Sequence, residues 1–253
     1  MISKPHDAEL LSSGGLVVEW TGALGEPVVS ISLNRTETRN SQNAQTWLGL
    51  RHIGEVLPAE TRIVVVRGGG GTFSSGLDRS AFDPGSAFSM YGMAGLADDV
   101  LSERISEFQA GFAWLSDNPS VISIAAVDGA AVGAGFQLAL ACDLRIATPV
   151  ARFSMREASL GLVPDLTGTH PLVRLIGYSR ALEICATSRW VTADEAYHWG
   201  LVNSVSDNLM GATAAIVGHL LSIDASALRE TKALLQGAQD LSPDDQRKRE
   251  REA

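Results

Sequence analysis

The chain has 253 residues, 45% hydrophobic and 19% charged, a composition that fits one large or two modest buried cores rather than a disordered chain. Its formal net charge of −9 argues against a nucleic-acid footprint, which needs a basic face, but leaves room for an anionic small ligand held by a few local Lys or Arg residues. Cys142 and Cys185 sit in apolar runs, and His6, His52, His170, His198 and His219 are scattered without zinc-site spacing, so neither a disulfide scaffold nor a metal centre is expected.

Met1 to Gly15 is too polar for the apolar core of a signal peptide, and a cytoplasmic protein is expected. Leu16–Trp20 and Val28–Leu33 are short β-rich runs, and Gly22–Pro27 between them predicts a hairpin turn. Arg39-Asn40-Ser41 precedes a helical pattern running to about Val56, with Asn40 or Ser41 as N-cap. Ile63–Arg67 is a continuous apolar strand of the kind buried in a parallel sheet, and it runs through Gly68–Gly71 into Phe73-Ser74-Ser75-Gly76-Leu77-Asp78.

Arg79–Asp99 has poor periodicity and reads as a mobile, partly helical segment. Glu103–Ser116 follows as an amphipathic helix. Val121 to Cys142 is apolar enough to imitate a membrane span, but Asp128, Gln137 and its glycines point to a buried strand, Val121–Val127, followed by a buried helix, Gly135–Cys142. Leu144–Ala147 is a third strand. Thr192 to Glu195 forms a capping box before a helix that Gly200 stops, and Ser242-Pro243-Asp244-Asp245 starts another. This strand–helix–strand rhythm gives the fold class: α/β, with a large core at residues 1–177 and a helical region at 178–253.

Three segments carry chemistry. Gly129 to Gln137 is a glycine turn leading into a helix N-terminus, where free N–H groups can bind an anion. It lacks a dinucleotide fingerprint, because Leu138 stands where the third glycine belongs; the same glycines also suit close strand–helix packing. Phe73–Asp78 invites a serine-nucleophile reading, yet no G-x-S-x-G frame exists and no histidine lies near it in sequence. The third segment places Glu157 and Asp165 eight residues apart around Leu160-Gly161-Leu162-Val163-Pro164. A carboxyl group in apolar surroundings has its pKa pushed up toward the range useful for proton transfer, although a pair of solvated loop acids is the commoner arrangement.

Taken in order, these segments resemble the crotonase (enoyl-CoA hydratase/isomerase) family over most of the chain. Asn34-Arg35 with Asn40 is similar to the family's early N-R-P-x-x-x-N, with Thr36 in place of proline. Phe73–Asp78 is similar to F-S-A-G-A-D, and Val127-Asp128-Gly129 through Cys142-Asp143 to the long glycine-helix signature. Glu157–Gly177 and Arg189–Val205 are similar to the family's later blocks.

The resemblance implies a crotonase-type core of stacked β-sheets and helices, with a C-terminal helical region that packs subunits into a trimer or a pair of trimers. It implies an acyl-CoA substrate, with coenzyme A entering as the thioester, and no metal, bound cofactor, nucleic-acid or membrane partner. The thioester oxygen would be held by backbone N–H groups of Leu77 and Ala134, an oxyanion hole. Ser75, Gly76, Asp78, Gly133 and Gly135 would line the substrate path, and Met90 and Tyr91 the acyl pocket.

Catalysis would fall to Glu157, Asp165 and Gln137. Hydratases of the family use two glutamates twenty residues apart; the second matches Glu157, and the first position is Gln137 here. Glutamine orients water but takes no proton at neutral pH. Some isomerases of the family work with the carboxylate at the position of Glu157 alone, and dienoyl-CoA isomerases add an acid at the position of Asp165. The expectation is therefore double-bond isomerisation of an enoyl-CoA or dienoyl-CoA. Enoyl-CoA hydration is the alternative, followed by a CoA-thioester-binding protein with little catalysis. A serine peptidase ranks last, since Ala134 and Gly135 stand where its serine would be.

Overall fold

The structure, a computed structural model, describes residues 5–20, 27–86, 88–238 and 240–253. The chain opens with helix α1 (Pro5–Ser13), strands β1 (Leu16–Glu19) and β2 (Val28–Leu33), helix α2 (Ala44–Glu55) and strand β3 (Ile63–Gly68). Next come α3 (Met90–Ala94), α4 (Asp98–Asp117), β4 (Ile122–Val127), β5 (Ala130–Val132), α5 (Ala134–Ala141), β6 (Leu144–Ala147) and β7 (Arg152–Ser154). The remainder is α6 (Thr169–Ile176), α7 (Tyr178–Thr187), β8 (Val191–Thr192), α8 (Ala193–His198), β9 (Ser204–Val205), α9 (Leu209–Ser222), α10 (Ala225–Gly237) and α11 (Pro243–Glu252).

The main sheet has the order β1-β2-β3-β4-β6-β9. Its first pair is antiparallel and the rest are parallel. Alternate residues of the central strands enter two cores: Val64, Val66, Ala125 and Val127 face the larger, while Ile63, Val65, Ile124 and Ala126 face a smaller one with Val217 of α9. Burial on both faces explains why these strands read as unbroken apolar runs. A second, three-stranded sheet, β5-β7-β8, escapes a reading by periodicity, because its strands are two or three residues long.

Most expected elements are in place, with shifted ends. The β1–β2 hairpin pairs Leu16 with Leu33, while residues 22–26 of its expected turn lie outside the described residues, as do residues 1–4. Asn43, not Asn40 or Ser41, caps α2: its side chain accepts from Thr46 N–H at 2.8 Å, and Thr46 returns the bond. Asn40 instead donates to the carbonyls of Gly69 (2.8 Å) and Thr72 (2.6 Å), pinning the glycine loop. The Val121–Cys142 stretch is β4, β5 and α5, and among the described residues no single helix is long and apolar enough to cross a membrane.

The segment after Asp78 is structured, with a short 3-10 helix at Arg79–Phe82, then α3 and the start of α4 at Asp98. Thr192 and Ser242 cap their helices as their spacing predicts. Beyond residue 177 the chain is not helical alone: β8 joins the second sheet and β9 the main one.

Candidate active site

Two turns meet at the start of α5, one following β3 and the other following β5. Gly76 has φ +88, and a Cβ there would stand 2.6 Å from the Val132 carbonyl and 3.7 Å from Ala134 N. Only glycine lets the Phe73–Asp78 turn approach so closely. Gly133, at φ +49, ends β5 and starts α5. A Cβ on Gly135 would press within 2.6 Å of Ser74, so the glycine seats α5 against that turn. Arg145 closes the other end of α5, with Nη1 donating to the carbonyls of Cys142 (2.6 Å) and Ala139 (3.3 Å).

These turns leave two N–H groups free. Ala134 is the first residue of α5, where a helix leaves its amides unpaired. The bridge between Gln42 and Leu77 uses Gly76 O and Asp78 N, not Leu77 N. Among the described residues neither Leu77 N nor Ala134 N has an acceptor. Both residues line one cavity of about 500 Å³. Backbone donors at a helix start, already oriented, suit an oxygen that gains negative charge.

Glu157 begins a 3-10 helix, Glu157–Leu160, and lines the same cavity, 8% exposed. Its Oε1 accepts from Gln137 Nε2 at 2.7 Å, while Oε2 is buried with no partner. A Cβ on Gly133 would stand 3.3 Å from that carboxylate, so the acid abuts the turn that carries Ala134. Burial pushes the Glu157 carboxyl above its usual range; the Asp165 charge adds to this, and hydrogen bonds from Gln137 and the backbone oppose it. Asp165 also lines the cavity, and partial burial raises its carboxyl too. Its carbonyl accepts from Gln109 Nε2 at 2.7 Å.

The far wall is apolar. Trp47 of α2 packs on Phe108 of α4 with ring centroids 4.9 Å apart, and Phe88 meets Phe108 edge-on at 6.4 Å. Met90, Met93, Leu101 and Ile105 complete it. Trp47 and Phe108 are separated by some sixty residues in sequence, and only the packing of α2 on α4 makes them one surface.

The structure therefore gathers Glu157, Gln137, Asp165, Leu77, Ala134, Ser75, Gly76, Asp78, Gly133 and Met90 around one cavity. Two expectations need correction, those for Tyr91 and Gly135. Tyr91 is 65% exposed and is not among the lining residues, because α3 turns it outward. Gly135 lies behind the wall, against Ser74. Asp78 lines the cavity, but its carboxylate is committed elsewhere: Oδ1 accepts from Ser80 N–H (2.8 Å), and Oδ2 meets Ser41 Oγ (2.8 Å) and Arg35 Nη1 (2.7 Å). Burial alone would raise that carboxyl, but these bonds hold it well below the usual carboxylate range.

Comparison with known proteins places this geometry in context. The profile described as enoyl-CoA hydratase/isomerase matches residues 24–253. A crotonyl-CoA hydratase of Syntrophomonas wolfei is 32% identical over 82% of this chain and 77% of its own length. The mitochondrial Delta(3,5)-Delta(2,4)-dienoyl-CoA isomerase of mouse is also 32% identical, over 86% of this chain and 68% of its own. A solved "putative enoyl-CoA hydratase" of Thermobifida fusca, in complex with acetoacetyl-CoA, superposes with a TM-score of 0.90 at 42% identity, covering 96% of this chain and 94% of that one.

Proposed function

Since the chain belongs to the enoyl-CoA hydratase/isomerase family, we propose that within it this protein moves the double bond of an enoyl-CoA or dienoyl-CoA rather than adding water across it. A hydratase and an isomerase are equally similar in sequence, so the choice rests on the site. The observation that carries it is the state of the two side chains beneath the free N–H groups. Glu157 has one buried oxygen without a partner, and Gln137, its neighbour, has no basic atom. Hydration needs one group to activate water and a second to protonate carbon, whereas isomerisation needs one carboxylate that takes a proton and returns it elsewhere.

In a 3-enoyl thioester, the Glu157 carboxylate takes a proton from C2. The C–H electron pair becomes the C1–C2 π bond of a dienolate as the carbonyl π pair moves onto the thioester oxygen, which takes the negative charge. Leu77 N–H and Ala134 N–H hold that oxygen. The protonated Glu157 then delivers the proton to C4, leaving the double bond between C2 and C3. Electrons are only redistributed within the substrate, so the step calls for no redox cofactor. In a 3,5-dienoyl thioester the charge extends to C6, and Asp165 is the second acid on the cavity wall that can supply a proton there.

The raised Glu157 carboxyl suits this exchange, because burial makes its protonated form easier to reach and so lets it take a proton and give it back. A mass-resolved product assay on 2-enoyl-, 3-enoyl- and 3,5-dienoyl-CoA tests the reading. Unchanged mass with a shifted absorption spectrum is expected from the last two. A product heavier by one water as the main outcome would sink it.

A further inference from the structure

We propose that Gln137 is a positioning residue: one amide clasps the Glu157 carboxylate on one side and the Leu166–Gly168 turn behind Asp165 on the other, and so sets how readily Glu157 takes a proton. This rests on the reading that Glu157 carries the proton.

Three bonds fix the amide. Nε2 donates to Glu157 Oε1 at 2.7 Å, and Oε1 accepts from Leu166 N at 2.9 Å and Gly168 N at 3.3 Å. Only this orientation works, since the flipped amide would aim its NH2 at two N–H donors. Gln137 is 1% exposed on a helix whose every residue is buried, so water cannot replace it. There is no slack around it: a Cβ on Gly168 would lie 2.6 Å from Gln137 Cγ and 3.1 Å from Oε1. The turn it holds includes Thr167 at φ +70, a left-handed position for a non-glycine residue that the surrounding bonds must maintain.

The consequence follows from where the donor points. A buried N–H···O bond to a carboxylate favours the ionised form, and Gln137 opposes the upward push that burial gives Glu157. Other charged groups around Glu157 do not supply this. Asp165 acts in the opposite sense, and Cys185 of α7, close enough to feel the Glu157 charge, brings no cation. Arg156 stacks on Trp190 at 5.1 Å, while on α7 Arg180 stacks on Trp199 and Glu183 pairs with Arg189. Gln137 thus adds a side-chain bond to the backbone bonds that favour the ionised Glu157, and fixes the Asp165 turn with the other end of the same group.

Gln137→Met keeps the bulk and removes both functions; Gly168→Ala leaves the glutamine but crowds it. The Glu157 carboxyl is titrated by infrared difference spectroscopy, subtracting a Glu157→Gln background, and kcat/KM for a 3-enoyl-CoA is followed against pH. In Gln137→Met the carboxyl band should titrate at higher pH than in the wild type. The acid limb of kcat/KM should move with the band, so that at a fixed acid pH kcat/KM, taken relative to each variant's own alkaline plateau, falls about tenfold, as loss of one charge-assisted bond implies. Gly168→Ala should shift the same way, by less. A lower melting temperature with an unmoved titration in both variants would make Gln137 a packing residue and overturn the proposal. The band is read without turnover, so the inference can fail while Glu157 remains essential. Undiminished turnover in Glu157→Gln would instead break the proton-carrier reading.

Discussion

The two halves of this site are built from different material. The donors are backbone N–H groups of Leu77 and Ala134, and the residues that matter there are glycines shaping the turns. The half proposed to move the proton is made of side chains, Glu157 and Asp165, with Gln137 bonded to the Glu157 carboxylate and to Leu166 N–H beside Asp165. A backbone donor survives almost any change of its own side chain, whereas a carboxylate is lost by one substitution. Oxygen-holding by such backbone donors is therefore robust in sequence, whereas the proposed choice between isomerisation and hydration turns on a few side chains.

The largest expected effect falls on the side-chain half. Glu157→Gln should lower kcat by about three orders of magnitude or more, with acyl-CoA affinity nearly intact by calorimetry. The same variant should be more stable than the wild type at neutral pH. A carboxyl whose folded pKa is raised stabilises the fold while protonated and loses that contribution as pH rises through the folded value, and glutamine avoids the loss. Melting temperatures followed upward from about pH 4, the unfolded carboxyl range, should show a gap that opens and then levels off; a less stable variant would mean that Glu157 supports the fold.

Breaking the backbone half takes a glycine. Gly76→Ala puts a Cβ 2.6 Å from the Val132 carbonyl at a left-handed φ, displacing Leu77 N–H. One lost donor corresponds to roughly two to three orders of magnitude in kcat, and Leu77→Ala, which keeps the N–H, should cost far less. Equal losses in both variants would show that the leucine side chain, not its amide, is the working part.

Asp165→Asn should sharpen the division of labour among the carboxylates. Turnover of a 3,5-dienoyl-CoA should fall about a hundredfold, while a 3-enoyl-CoA, needing Glu157 alone, changes little. Equal loss on both substrates would return Asp165 to the role of a wall residue.

The smallest effect contrasts a working acid with a structural one. Asp78 is held below the usual range by Ser80, Ser41 and Arg35, so its contribution to stability is present above the unfolded pKa and drains away as pH falls toward the folded one. The stability gap between the wild type and Asp78→Asn should therefore narrow on acidification below about pH 4. A gap that widens there would reverse the assignment.

Much of this was legible in the sequence, for identifiable reasons. The buried strands, the Thr192 and Ser242 caps and both glycine turns are local patterns. Glu157 and Asp165 stand out because apolar residues separate them. The cap of α2 was misplaced because Asn40 and Ser41 serve distant partners, Gly69, Thr72 and Asp78, which no local pattern displays. The acceptor role of Gln137 was hidden for the same reason: the N–H groups it holds lie 29 and 31 residues away. Asp78 resembles a substrate contact in the motif, and only the fold shows Arg35 already paired with it.

In the proposed mechanism Glu157 carries one proton between two carbons of a single acyl chain. The direct measurement follows a 3-enoyl-CoA deuterated at C2, turned over in oxygen-18 water, with the product analysed by mass and by deuterium position. Part of the label should reappear at C4 with no oxygen-18 in the product, and Glu157→Gln should abolish the transfer. A product carrying oxygen-18 on the acyl chain, formed at the full rate of turnover, would contradict the account and make the protein a hydratase.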